Sequence, residues 1–272
     1  MRLQDKLKEM RANGTSLLAT NFYNYETLKG VVEAASAMKC PIILQLTKSS
    51  IEYLSLPVAV DMARAALKQY KVKGWLHLDH SDSYQLIVQC LKAGFDSVMI
   101  DASEKTMEEN IAITLRVVAL AKKYDANVEA ELGYVAKLGQ SKEKVGFTEP
   151  EEACYFAQQT GVDALAVAIG NAHGFYTETP QIDMERLSKI HAVTQAALVL
   201  HGSSGIPSPL LKEAIKRGIC KVNLATEIKN TFMTHLRTDL SITHEIDLRQ
   251  VFPPAIHAVT ALVKEKLETV SL

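Results

Sequence analysis

The chain has 272 residues, with 30 basic against 31 acidic side chains and a formal net charge of −1. That balance leaves no molecule-wide field for nucleic acid or an anionic membrane, and 47% hydrophobic with 22% charged residues is a folded rather than a disordered composition. Cys40, Cys90, Cys154 and Cys220 are far apart with no Cys-x-x-Cys pair, so they read as buried thiols of a reducing cytosol. No run approaches the ~18 consecutive apolar residues of a membrane span. The opening MRLQDKLKEMRANG is charged at helical spacing and lacks the apolar core of a secretory signal. A cytoplasmic protein is expected.

Short apolar runs alternate with longer amphipathic stretches along the whole chain. The predicted strands are Leu17–Thr20, Pro41–Gln45, Trp75–Leu78, Ser97–Ile100, Asn127–Glu131, Ala164–Ile169, Leu198–Leu200 and Ile219–Asn223. Between them lie helical patterns such as Met107–Tyr124, where Ile111, Leu115, Val118 and Ala119 are expected to share the buried face. Continuous apolar strands such as ALAVAI suit a parallel sheet covered on both faces. Eight strands, each followed by a helix, fit a (β/α)8 TIM barrel better than an open sheet. No Gly-, Pro- or Ser-rich linker divides the chain, so residues 1–272 read as one domain. Gly133–Thr148 and Ile242–Pro254 are the least regular stretches and read as long, functional loops.

Barrel enzymes build their sites at the C-terminal strand ends. Here strand three ends in Asp79-His80, strand four in Asp101 and strand five in Glu131. Strand six is followed by Asn171 and His173, strand seven ends in His201 and GSSG, and strand eight in Asn223 with Thr226 beyond. A single histidine at a strand end is most simply a hydrogen-bonded structural residue. Three neutral imidazoles at one mouth match a catalytic zinc arrangement, with a position left open to polarise a carbonyl oxygen. His77, inside strand three, reads as a residue of the barrel interior, and His191, His235, His244 and His257 fall on helices or late loops with structural roles. Gly202–Gly205 precedes Pro207 and a helix beginning near Ser208. Small residues there let backbone N–H groups approach a phosphate, with Asn223–Thr226 supplying the other half of the site.

The strings HLDH (His77–His80), SVMIDAS (Ser97–Ser103), VEAELG (Val128–Gly133), LAVAIGNAHGFY (Leu165–Tyr176), LVLHGSSGIP (Leu198–Pro207) and GICKVNLATEIKN (Gly218–Asn230) resemble the class II, zinc-dependent ketose-bisphosphate aldolases, which act on fructose and tagatose bisphosphates. The match is collinear from about Asn21 to Arg249, and the strings around strands six to eight resemble the tagatose-bisphosphate branch most. The resemblance implies that His80, His173 and His201 bind catalytic Zn2+, and that Asp101 and Glu131 hold a displaced metal, a second divalent ion or a monovalent cation. It makes Asp79 the acid/base at the C4 hydroxyl, pointed away from its neighbour His80 by strand pleating. Gly174, Gly202, Ser203, Ser204 and Asn223, Leu224, Ala225 and Thr226 match the dihydroxyacetone-phosphate site, and Asn21 matches an asparagine after strand one. Arg249 matches an arginine that reaches a neighbouring subunit's substrate phosphate, which implies a homodimer or homotetramer. In this chain Leu248 stands where that motif has proline.

Two loops depart from the family pattern. The loop after strand five reads ELGYVAKLGQSKEKVGF, in which Glu143 is the nearest candidate for the base at C3. The loop after strand two reads LTKSS and places Lys48 where an acid is common, either as a solvated lysine or as a cation facing the distal anionic group of a substrate.

The expected activity is reversible cleavage of a ketose 1,6-bisphosphate to dihydroxyacetone phosphate and an aldehyde such as glyceraldehyde 3-phosphate. No lysine sits at a recognised strand end, which disfavours a Schiff-base route. Three alternatives stay open: an aldolase for a ketose 1-phosphate with another distal group, a metal-dependent barrel hydrolase, and a non-catalytic accessory subunit. The hydrolase is disfavoured because strand one ends in Thr20-Asn21 rather than a His-x-His pair.

Overall fold

A computed structural model describes residues 1–133, 135–137, 146–176 and 179–271. Eight parallel strands close into a barrel: β1 (Leu17–Asn21), β2 (Ile42–Thr47), β3 (Gly74–Ser81), β4 (Ser97–Ile100), β5 (Asn127–Leu132), β6 (Ala164–Val167), β7 (Ala197–Leu200) and β8 (Ile219–Leu224). Each pairs with its neighbours in sequence, and β8 closes on β1 with Ala19 opposite Asn223. The fold is the expected TIM barrel.

Alternation along the strands divides the apolar residues between two compartments. Leu44, Leu76, Val98, Val128, Leu165, Leu198 and Val222 pack outward under the helices. Leu17, Ala19, Ile43, Trp75, Ala164, Ala166, Ala197 and Val199 fill the lower barrel together with Leu3, Leu7 and Met10 of helix α1 (Leu3–Asn13), which plugs the base. Higher in the barrel the buried residues are polar: Gln45, His77, Ser97, Asn127, Glu129 and Lys221.

The outer ring comprises α2 (Tyr25–Met38), α3 (Lys48–Leu54), α4 (Leu56–Gln69), α5 (Tyr84–Lys92), α6 (Met107–Ala121), α7 (Pro150–Thr160), α8 (Met184–Val193), α9 (Ser208–Lys216), α10 (Thr226–Ile242), α11 (Leu248–Val251) and α12 (Pro253–Val270). Asn24 caps α2 through a reciprocal box with Thr27, and Thr106 does the same for α6 with Glu109. Helices α2 and α12 approach closely because Gly30 has no side chain; a Cβ there would lie 2.8 Å from Val259 Cγ1.

Several expectations are corrected. The buried face of α6 is Asn110, Thr114, Val117, Val118 and Ala121, while Leu115 and Ala119 are exposed. Asn110 sets that phase by donating to the Glu131 carbonyl at 3.1 Å and accepting from Thr114. Cys90 and Cys220 are buried thiols, but Cys40 and Cys154 are partly exposed. The late irregular stretch is largely helical, with α11 inside it and α12 beginning at Pro253. Lys48 is the exposed first residue of α3 rather than a loop residue.

Candidate active site and cation centre

The mouth of the barrel is shaped first by a fault in β3. The pairing to β4 runs His77 to Ser97 and Leu78 to Val98, then resumes at Ser81 to Ile100, so β3 carries one extra residue. His80 sits at that bulge with a left-handed backbone, φ +46°. Plain pleating would send His80 outward, away from Asp79. The bulge brings both side chains to the mouth, which corrects the pleating expectation.

His80, His173 and His201 converge there. Their ring centroids are 5.0 Å (His80–His173), 4.6 Å (His80–His201) and 5.8 Å (His173–His201) apart. His173 lies on a two-residue strand, Ala172–His173, paired in parallel with Ala136–Lys137 from the loop after β5. Gly202, just beyond β7, fits against that strand only because it lacks a side chain: its φ is +64° and a Cβ would overlap the Ala172 carbonyl. Tyr176 ties the same two segments, its hydroxyl accepting from Ala172 N at 2.8 Å and donating to the Gly202 carbonyl at 2.9 Å.

Carboxylates complete the cluster. His80 Nδ1 is 2.8 Å from Asp101 Oδ2, and Asp101 Oδ1 accepts from the Ser103 hydroxyl and N–H. Glu131 Oε2 lies 3.3 Å from His201 Nδ1. Burial would push His80 down, yet Asp79, Asp101 and Glu131 together lift it to about 9. Burial would raise Asp101, but the His80 and Ser103 hydrogen bonds hold it well below the carboxylate range. Burial lifts Glu131 to about 8 against the pull of His80. Burial also holds the fully enclosed His201 far below its ordinary value, with His80 adding to the effect. A neutral imidazole is the form that ligates a metal.

Among the described residues, two overlapping groups offer atoms within 4.8 Å of one another: His80, His173 and His201, and His80, Asp101 and Glu131. His201 Nδ1 and Glu131 Oε2 are both buried without a hydrogen-bond partner. A divalent cation would satisfy both at once, and three imidazole nitrogens suit zinc. The residues present therefore fit a metal ion.

Asp79 is 5% exposed and held on both oxygens, by Asn21 Nδ2 at 3.0 Å and Asn223 Nδ2 at 3.4 Å. Ser203 donates to the Asn223 carbonyl at 2.6 Å, and Ser204 Oγ accepts the Glu227 N–H in the first turn of α10. The loop after β7 and the start of α10 are thus stitched together, with Leu224, Ala225 and Thr226 on the β8 side and Gly174 following His173. A cavity of about 610 Å3 opens beside the cluster, lined by His80, Asp101, Glu131 and His173 and also by Asp82, Glu104 and Lys105.

The structure does not bring every expected residue to this mouth. Arg249, on α11, has a side chain 90% exposed and paired with Asp247 at 2.8 Å. Glu143 lies outside the described residues. Two residues were not anticipated at all: Glu129 and Lys221, fully buried and ion-paired at 2.8 Å beneath the histidines. Both interrupt apolar strands in the sequence, which was the available signal. Lys221 lies within the barrel rather than at a strand end.

A closed parallel barrel with its polar cluster at the C-terminal mouth defines a (β/α)8 enzyme carrying a candidate cation centre. The family model for class II fructose-bisphosphate aldolase matches residues 1–271, and the chain belongs to that family. It is an aldolase, a carbon–carbon lyase. Among solved structures it is similar to the YdjI aldolase from Escherichia coli K12, at 30% identity and a TM-score of 0.88, covering 98% of this chain and 96% of that one. A Coccidioides immitis protein provisionally named a fructose-1,6-bisphosphate aldolase superposes at TM-score 0.89 with 27% identity, covering 99% and 96%. The fructose-bisphosphate aldolase of Campylobacter jejuni shares the fold at TM-score 0.85 and 19% identity, covering 98% and 93%. No helix among the described residues is long and apolar enough to cross a membrane.

Proposed function

We propose that this aldolase is a cytoplasmic, zinc-dependent homo-oligomer, each chain one domain, that reversibly cleaves a ketose 1,6-bisphosphate, fructose or tagatose, into dihydroxyacetone phosphate and glyceraldehyde 3-phosphate. The observation that carries this reading is the convergence of His80, His173 and His201 beside a buried, doubly held Asp79. Zn2+ held by the three histidines would supply a Lewis acid that polarises the ketose carbonyl and stabilises negative charge on the three-carbon fragment. Asp79 takes the C4 hydroxyl proton as the C3–C4 bond breaks, so the aldehyde leaves and the bonding electron pair stays on the enolate. Protonation at C3, assigned to Glu143, then gives dihydroxyacetone phosphate. Ser203, Ser204 and residues 223–226 bind the phosphate, with Gly174 and Gly202 leaving room for it. Asp101 orients His80, and Asp101 and Glu131 offer a second cation position.

A second reading keeps the chemistry and changes the distal group. Asp82 and Glu104 outnumber Lys105 in the cavity lining, and that acidic excess favours a ketose 1-phosphate whose far end is uncharged. Incubation with dihydroxyacetone phosphate and a panel of aldehydes, with and without chelator, tests both. Chelator-sensitive condensation with glyceraldehyde 3-phosphate is expected, and the C4 configuration of the product distinguishes fructose from tagatose. Condensation only with unphosphorylated aldehydes would favour the second reading. Full activity in demonstrably metal-free protein would rule the zinc mechanism out.

A further inference from the structure

Beneath the proposed ligands the barrel holds a buried ion pair. Glu129, on β5 two residues before Glu131, is fully enclosed. Its Oε1 lies 2.9 Å from His201 Nε2 and its Oε2 2.8 Å from Lys221 Nζ on β8. Lys221 reaches this depth beside a second bulge, where β8 gains a residue at Cys220 against β7. His77 closes the third side: its Nδ1 is 2.7 Å from Ser97 Oγ and its Nε2 3.8 Å from Glu129 Oε2.

A lysine ammonium only donates, and read as its ion-pair partner at 2.8 Å, Glu129 is a carboxylate whose two oxygens only accept. The hydrogen between Glu129 and His201 therefore sits on Nε2. In a neutral imidazole that leaves the lone pair on Nδ1, the buried atom without a hydrogen-bond partner that faces Glu131. As a source of stability the pair is poor: desolvating two charges offsets most of their attraction, and apolar replacements of similar volume are often neutral. Its placement accounts for it better.

We propose that Glu129 and Lys221 form a positioning pair that locks His201 in its Nε2–H tautomer and aims the Nδ1 lone pair at the cation centre. Lys221 fixes which oxygen of Glu129 faces His201, and Glu129 fixes the tautomer. The proposal rests on the reading of His201 as a metal ligand.

The ordering predicts a particular failure and its repair. In Glu129→Gln, Lys221 keeps the single amide oxygen for itself. The amide NH2 is then turned toward His201 Nε2, which must become the acceptor, and the hydrogen moves to Nδ1, where it blocks the metal. Adding Lys221→Met frees the amide to flip, so its oxygen can again accept from Nε2–H.

Zinc affinity measured by competition with a chromophoric chelator should therefore drop about 10–100-fold in Glu129→Gln, the usual effect of removing such an outer partner. It should recover in the double variant. Nitrogen-15 NMR of histidine-labelled, metal-free protein should show His201 as Nε2–H in the wild type and as Nδ1–H in Glu129→Gln. Wild-type zinc affinity in Glu129→Gln, no recovery in the double variant, or Nδ1–H in the wild type would each overturn the proposal. If Glu129→Gln does not fold, the wild-type spectrum alone decides. Undiminished zinc binding in His201→Ala would instead sink the ligand reading, and the tautomer measurement would stand apart from it.

Discussion

Asp79 is where the proposed chemistry is most sharply posed. Its two oxygens are held by amides from β1 and β8, strands that adjoin in the closed barrel, so the carboxylate has little freedom to swing. The Oδ1 atoms of those same amides, on Asn21 and Asn223, are buried without hydrogen-bond partners. A sugar hydroxyl, which donates as well as accepts, would satisfy them. Asp79→Ala removes the proton acceptor and leaves the three histidines untouched. Turnover should fall roughly 10²–10⁴-fold, the span of general acid–base catalysis, while bound zinc, measured by elemental analysis, stays at the wild-type level. Loss of zinc in parallel with turnover would make Asp79 part of the metal site instead.

At the level of elements, two glycines separate what holds the barrel from what shapes its mouth. Gly30 lets α2 and α12 touch, and an added Cβ would lie 2.8 Å from Val259 Cγ1, 2.9 Å from its Cβ and 3.1 Å from the Ile256 carbonyl. Gly30→Ala should cost about 1–3 kcal/mol of stability in a denaturant titration, as overpacking does, with zinc affinity unchanged. Gly202 meets backbone, the carbonyl of Ala172 next to His173, and its φ is left-handed. Gly202→Ala should weaken zinc binding as well as stability, because relief requires moving the segment that carries His173. Equal zinc affinity in the two variants would contradict this division.

The same elements show what could be read from the sequence. The strand ends were legible because parallel strands are buried on both faces, so the first polar residues after an apolar run mark the mouth. Asp101 and His201 stand out on that rule, whereas Asp79 and Glu131 end strands already interrupted by His77 and Glu129. The bulge at His80 was not legible, since an extra residue leaves no trace in an apolar pattern and appears only as a broken register. Nor was the Glu129–Lys221 pair: its members are 92 positions apart, and pairing across a barrel has no local signature. The face of α6 was misread because a buried asparagine, rather than leucine, sets its phase.

Over the whole molecule the open question is whether one chain completes its own site. Arg249 extends into solvent from α11 and is held by Asp247, and among the described residues no hydrogen bond or ion pair ties it to the barrel mouth. The exposed Ile242, Ile246 and Leu248 flank it, at 81%, 90% and 61% exposure, an apolar setting suited to a contact between copies. If Arg249 serves the partner's substrate phosphate, Arg249→Ala should raise the KM for a bisphosphate and leave the zinc content intact. The decisive measurement mixes two variants. An Arg249→Ala chain keeps Asp79 but supplies no arginine, and an Asp79→Ala chain supplies the arginine but cannot cleave. In a hybrid dimer one of the two sites has both groups. Assayed at substrate far below the raised KM, where both parents are nearly inactive, equimolar mixing with subunit exchange should therefore restore roughly a quarter of wild-type activity, as two-fold symmetry requires when half of the dimers are hybrids. If Arg249 acts within its own chain, every site in the mixture lacks one group or the other, and mixing restores nothing.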